Sequence, residues 1–228
     1  MFINDPNLET IIDGVYIYRN FIPAKLVAKI NGIANDRVNI GLDEFNSLIP
    51  WYRDKSTSEI PQLYEVWELM SKFLLPTHVI HPMLHLNIMR PGDGEMFVHE
   101  DSPGEGNEHT LTNVDRWSTC CLLDYGVITY FGEFTGGETF YPELGVEVAP
   151  QPGDMIIHGA HSKHKHGVRE VTSGIRYAFS NFSLKPEKNP GTFSNYGTKE
   201  HEEQLSKGLD KWMTPYIHND REYAKLED

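Results

Sequence analysis

Hydrophobic and polar positions change period several times along this chain, and each change marks an element. Val15 to Tyr18 reads as a short strand after a polar lead. Behind Pro23, which suits a first helical turn, Ile22, Leu26, Ile30 and Ile33 recur at helical spacing and predict an amphipathic helix to about Ala34. A polar, irregular stretch to Ser58 separates it from a second predicted helix over 59–75. There Leu63, Val66, Trp67, Met70 and Leu74 share a face and Pro76 supplies the stop. From Met83 the period falls to two, with Leu84, Leu86 and Ile88 alternating with His85, Asn87 and Met89. A turn at 90–94 leads to an extended run over 96–100.

Further strands are expected at 117–123, at a hairpin of 138–141 and 146–148, and at 155–158, 164–171 and 175–183. Short strands with such regular turn signals indicate an all-β sandwich or barrel, here with helices at both ends. The C-terminal helix rests on Leu205, Leu209, Trp212 and Met213, reached through an exposed connection at 184–199 that is rich in Pro, Gly, Asn and Lys.

Composition narrows the partners. The chain has 228 residues, enough for one domain with a sizeable core, and carries a formal charge of −13. That acidity, without a basic run to offset it, argues against nucleic acid. The two cysteines, Cys120 and Cys121, are adjacent and would point to opposite faces of a strand, which argues against a disulfide. No signal sequence and no membrane-spanning window is apparent, so a soluble, cytoplasmic protein is expected.

The chemistry gathers in two places. The stretch from Gly153 to Arg176 holds four of the eleven histidines, at 158, 161, 164 and 166. The second place is His99-Glu100-Asp101. Residues two apart on a strand share a face, so His99 and Asp101 could grip one ion. With one distant histidine they would form the two-histidine, one-carboxylate set that suits non-haem Fe(II). A bare His-x-Asp is common, and His99 alone reads better as a structural histidine. Strand parity places His164 and His166 on one face, so it does not choose between them. Arg176 shares a face with Ala178 and Ser180, a setting fit for bidentate capture of a carboxylate, although a surface salt bridge explains it equally well. The loop after Asp101, rich in carboxylates and glycine over 102–115, reads as a lid over the site or as a passive excursion.

The segment FTGGETFYPELGVEVAPQPGDMIIH, followed by His166-Gly-Val-Arg-Glu-Val171 and Gly174-Ile-Arg-Tyr177, resembles the Fe(II)/2-oxoglutarate-dependent dioxygenases of the prolyl 4-hydroxylase-like group. Their pattern joins a His-x-Asp, a GGET-like hairpin, a P-x-x-GD turn (here Pro150 to Asp154) and a His ten residues before an Arg. The likeness runs from about Leu84 to Phe182, and the helix opening with Asn20-Phe-Ile-Pro23 also resembles the family's usual entry.

The resemblance implies a mainly β fold with flanking helices and a double-stranded β-helix, or jelly-roll, core. In a single oxygenase domain over 1–228, helical support would span about 1–80 and the core about 83–183. The exposed connection and C-terminal helix would fill 184–228. It assigns His99, Asp101 and His166 as Fe(II) ligands and Arg176 as the partner of 2-oxoglutarate; these four form the catalytic set. The implied reaction uses O2, with ascorbate as a candidate reductant, and hydroxylates an unactivated C–H bond with release of succinate and CO2. A prolyl residue or related amino-acid side chain, in a peptide or small molecule, is the implied substrate; the sequence gives neither its identity nor the oligomeric state.

Two departures stand out. Met89-Arg-Pro-Gly92 lacks the family's frequent tyrosine, and His158 replaces the usual aromatic near the end of the strand after the GD turn. Competing readings are a same-fold oxygenase of small metabolites, a jelly-roll binding module with a vestigial metal site, and a cupin-like zinc or manganese site. The last leaves Arg176 unexplained.

Overall fold

The computed structural model describes residues 7–39, 48–50, 61–73, 78–80, 83–101 and 123–184. Their strands form two antiparallel sheets. The larger runs in the order β1 (Leu8–Ile12), β2 (Val15–Tyr18), β10 (Met155–Gly159), β7 (Tyr125–Gly136), β12 (Val171–Leu184), β5 (Met83–Met89) and β3 (Leu48–Pro50), with β4 (Val79–Ile80) paired to the end of β12. The smaller runs β6 (Met96–His99), β11 (His166–Val168), β8 (Thr139–Tyr141) and β9 (Val146–Val148). Helices α1 (Ala24–Asn39) and α2 (Pro61–Phe73) belong to the larger sheet's core.

Period-two alternation makes the layers. On one face of the large sheet, Val127 and Phe131 of β7, Met155 and Ile157 of β10, and Tyr177 and Phe179 of β12 pack with Ile22, Leu26, Ile30, Leu63, Val66 and Met70. The opposite face offers Ile128, Tyr130, Ile156 and Ala178 to Tyr141 and Val148 of the small sheet. This second face carries the site. The mainly β, jelly-roll-like architecture expected from the sequence is the one observed.

Several expected boundaries shift. The first helix continues past Ala34 to Asn39, since no proline or glycine interrupts 34–39. β1 lies in the supposed polar lead, and β3 in the supposed irregular stretch. The central strand β7 was not anticipated. It is buried on both faces over Gly126–Gly132, so it shows no polar alternation to signal a strand. Of the strand expected over 117–123, only Leu123 is described; it is buried and precedes β7. The strand expected over 164–171 divides into a 3₁₀ turn at Ser162–His164, the short β11, and the start of β12. The loop over 102–115, both cysteines and the predicted C-terminal helix lie outside the described residues.

A buried carboxylate fixes the turn that feeds β10. Asp154 pairs with Arg19 Nη1 at 2.7 Å and accepts hydrogen bonds from the backbone N–H groups of Asn20 at 2.9 Å and Gln151 at 2.9 Å. The GD turn is thereby tied to the chain entering α1, and β10 is delivered in register beneath the candidate ligands. No described helix is long and apolar enough to cross a membrane.

Candidate functional site

β6 and β11 run antiparallel with His99 directly opposite His166, their ring centroids 4.5 Å apart. This cross-strand register joins residues 67 positions apart in sequence. Asp101 sits in a bend just past the end of β6, and its carboxylate still turns back toward the histidines. Asp101 Oδ1 is 3.9 Å from His99 Nε2 and 4.0 Å from His166 Nε2. Those separations exceed hydrogen-bond reach, and one donor atom from each of the three residues lies within 4.8 Å of the others. The group is open at the centre and composed of donors that suit a divalent transition metal.

Both rings are oriented for that role. His99 Nδ1 lies 3.0 Å from the Phe97 carbonyl and His166 Nδ1 3.2 Å from the His164 carbonyl. A carbonyl only accepts, so each Nδ1 carries the proton and each Nε2 presents its lone pair to the gap. Burial pushes the His166 pKa down to about 4, with the nearby Arg176 charge acting in the same direction against the His164 carbonyl. The ring is therefore neutral at physiological pH. Burial also pushes Asp101 up from its ordinary 3.8 to about 6, opposed by His99.

The other histidines separate. His164 ends the 3₁₀ turn and places Nε2 3.3 Å from the Asp13 carbonyl, its ring against Gly14 and Gly159. The switch from turn to strand between 164 and 166 breaks the parity that left the two residues equivalent in sequence. His161 immediately precedes that turn and lies outside the cluster. His158, on β10, is fully buried with Nε2 3.5 Å from Asp101 Oδ2.

Arg176 projects from β12 into the same cleft, whose floor is the alternating face Arg176, Ala178, Ser180 and Phe182. It is 2% exposed, its Nε has no hydrogen-bond partner among the described residues, and Nη1 reaches Met89 Sδ at 3.9 Å. Burial lowers its pKa, while the neighbouring Tyr130 opposes that shift. Room for the guanidinium stem comes from Gly137, at φ 70°, where a Cβ would lie 2.7 Å from Arg176 Cδ. A surface salt bridge is excluded by this burial.

Sequence reasoning missed Tyr130 and Thr139. Their hydroxyls lie 3.1 Å apart, and the Tyr130 ring lies 5.0 Å from Arg176 Cζ. A phenol thus stands beside the arginine although the stretch before Gly92 lacks one; it comes from β7, the strand without a periodic signal. Asn87 also lines the cleft, with a buried Oδ1 that has no hydrogen-bond partner among the described residues.

No family model matches the sequence. Human prolyl 3-hydroxylase 1 is 34% identical over 87 residues, covering 35% of this chain and 12% of the relative; the chicken protein matches equally. The match thus spans about an eighth of the curated relatives' length. Among solved structures, the 2-oxoglutarate complex of the viral collagen prolyl hydroxylase from Paramecium Bursaria Chlorella virus-1 aligns with TM-score 0.55 and 14% identity. That alignment covers 76% of this chain and 98% of the viral one. The Pseudomonas putida prolyl-4-hydroxylase aligns with TM-score 0.50 and 15% identity, over 75% of this chain and 92% of its own.

This chain has the prolyl hydroxylase fold. The prolyl hydroxylase of Trichoplax adhaerens, solved with a peptide fragment of hypoxia inducible factor, aligns likewise, with TM-score 0.50 and 12% identity over 77% of this chain and 86% of its own. The resemblance drawn from sequence motifs therefore holds for the architecture.

Proposed function

We propose that this chain is an Fe(II)- and 2-oxoglutarate-dependent dioxygenase that hydroxylates an unactivated C–H bond of a prolyl residue or related amino-acid side chain, with succinate and CO2 as coproducts. The observation that carries this reading is the coexistence, in one cleft, of the open His99–Asp101–His166 group and a buried guanidinium that has no carboxylate partner among the described residues. A buried cation of this kind is costly unless an anion joins it, and a dicarboxylate cosubstrate would supply that anion.

The donor set fits Fe(II): two neutral imidazoles and one carboxylate hold a divalent ion while leaving positions open. Iron with bound 2-oxoglutarate would supply oxidative decarboxylation coupled to C–H hydroxylation. The protein's contribution is position. His99 and His166 present Nε2 because their Nδ1 protons are engaged by backbone carbonyls. Arg176 offers two parallel N–H donors to the distal carboxylate, with the Tyr130 hydroxyl beside it. Ala178 and Val168 keep the intervening wall apolar, which limits water at the reacting centre.

Known relatives support the substrate class: the viral neighbour is a collagen prolyl hydroxylase, and the Trichoplax neighbour was solved with a peptide. The test is succinate production from 2-oxoglutarate with Fe(II) and ascorbate, with and without a panel of proline-containing peptides and free amino acids. Stimulation by one substrate, with a product 16 Da heavier, supports the reading. Absence of both basal and stimulated turnover in iron-loaded protein overturns it.

A further inference from the structure

Asp101 has two oxygens in two different surroundings. Oδ1 faces His99 and His166 at 3.9 and 4.0 Å, whereas Oδ2 faces His158 Nε2 at 3.5 Å. We propose that His158 is a positioning residue for the metal centre, its Nε2–H directed at Asp101 Oδ2 so that Oδ1 alone is presented to the ion. This rests on the metal-centre reading above.

Three observations support it. His158 is 0% exposed, neither ring nitrogen has a hydrogen-bond partner among the described residues, and Asp101 Oδ2 lies 3.5 Å from Nε2 as a carboxylate acceptor. A buried imidazole N–H without an acceptor is unfavourable, and so is a buried carboxylate oxygen without a donor; at 3.5 Å the two stand just beyond hydrogen-bond length, and closing that gap by a few tenths of an ångström would relieve both. Secondly, the ring is clamped. It stands edge-on to His166, with centroids 4.2 Å apart and planes at 87°, and edge-on to Tyr141 at 5.7 Å. It therefore has little freedom to turn Nε2 elsewhere. Thirdly, the gap that holds the contact is built into the neighbouring strand. Gly126 of β7 pairs with His158 of β10, and a Cβ there would lie 2.5 Å from His158 Nε2 and 2.6 Å from Asp101 Oδ2. Any other residue would occupy the space the two groups share.

The chemistry follows from the division of labour. A carboxylate free to swing could bind an ion through both oxygens and fill a coordination position. A donor on Oδ2 holds it to one, leaving the remaining positions for cosubstrate and O2, as outer-shell partners of metal ligands commonly do. An aromatic hydrocarbon in place of His158 would fill the volume without holding the oxygen.

The experiment uses the full chain stripped of metal and titrated with Co(II), as wild type, His158→Phe, His158→Gln and Asp101→Ala, with far-UV circular dichroism of each apoprotein. Glutamine places an N–H donor near the position of imidazole Nε2; phenylalanine keeps the ring and removes the donor. Expected results are one Co(II) per wild-type chain, affinity about 10–100-fold weaker in His158→Phe, an altered visible Co(II) band, and substantial recovery in His158→Gln. Because a variant could misfold, the wild type is read as well: ¹⁵N-histidine NMR of the Zn(II)-loaded chain should show His158 neutral and protonated at Nε2. Wild-type Co(II) affinity and spectrum in a folded His158→Phe, a His158→Gln no better than it, or an Nδ1-protonated His158 would overturn the proposal while the metal centre stood. If the wild type takes up no Co(II), or Asp101→Ala binds it equally well, the metal-centre reading fails and this proposal with it.

Discussion

The metal-free site carries a stability cost that can be measured at one residue. Burial raises the Asp101 pKa from 3.8 to about 6, with His99 opposing the shift. A raised carboxyl pKa means that the fold favours the protonated form, so its contribution to stability is fully present below the unfolded value. It is lost as pH rises through the folded value. At about 1.4 kcal/mol per pKa unit, the loss between strong acid and neutrality is about 3 kcal/mol. Asp101→Asn keeps the shape and removes the ionisation. In EDTA-treated protein at pH 7.5 it should therefore be more stable than wild type by up to about 3 kcal/mol, or about 6–12 °C in Tm for a chain of this size. At pH 5 the wild-type carboxyl is mostly protonated in the fold, and about half of that difference should disappear. Urea unfolding of both proteins at the two pH values reads the effect together with its coupling to His99. The same substitution should abolish metal uptake. An Asp101→Asn apoprotein no more stable than wild type at pH 7.5, or a difference that does not shrink at pH 5, would refute the reasoning.

Other outcomes follow from the same geometry. His99→Ala and His166→Ala should each abolish turnover and weaken iron binding, whereas His161→Ala and His164→Ala should remain active; a dead His164→Ala beside a normal His166→Ala would reverse the ligand assignment. Arg176→Lys keeps the charge but loses the planar fork, so KM for 2-oxoglutarate should rise at least about tenfold with Co(II) affinity unchanged; for Arg176→Ala the loss should reach about 2–5 kcal/mol, and an unchanged KM would remove the cosubstrate role. Gly126→Ala should cost about 1–3 kcal/mol in urea unfolding and weaken Co(II) binding, because its methyl would press on His158 and Asp101 together; wild-type behaviour would mean that the gap is not needed.

Local signals in the sequence determined both described helices and several of the strands, and the family resemblance supplied the candidate ligands. Helical spacing from Ile22 to Ile30, and the alternation through Leu84, Leu86 and Ile88, are properties of consecutive residues and need no tertiary context. The spacing of His166 and Arg176 was legible because only ten positions separate them, on strands that follow one another in the chain, and its likeness to a known pattern carried the assignment. β7 was not legible. A strand buried on both faces loses the polar alternation by which strands are found, and Tyr130 and Gly126 were overlooked with it. The choice between His164 and His166 depended on where a turn becomes a strand, and the cross-strand register then set His166 opposite His99. His158 looked like a departure from an aromatic pattern. Only the packing of β10 against β7 brings it to Asp101, because the contact joins residues 57 positions apart through a space that a glycine on a third strand leaves open.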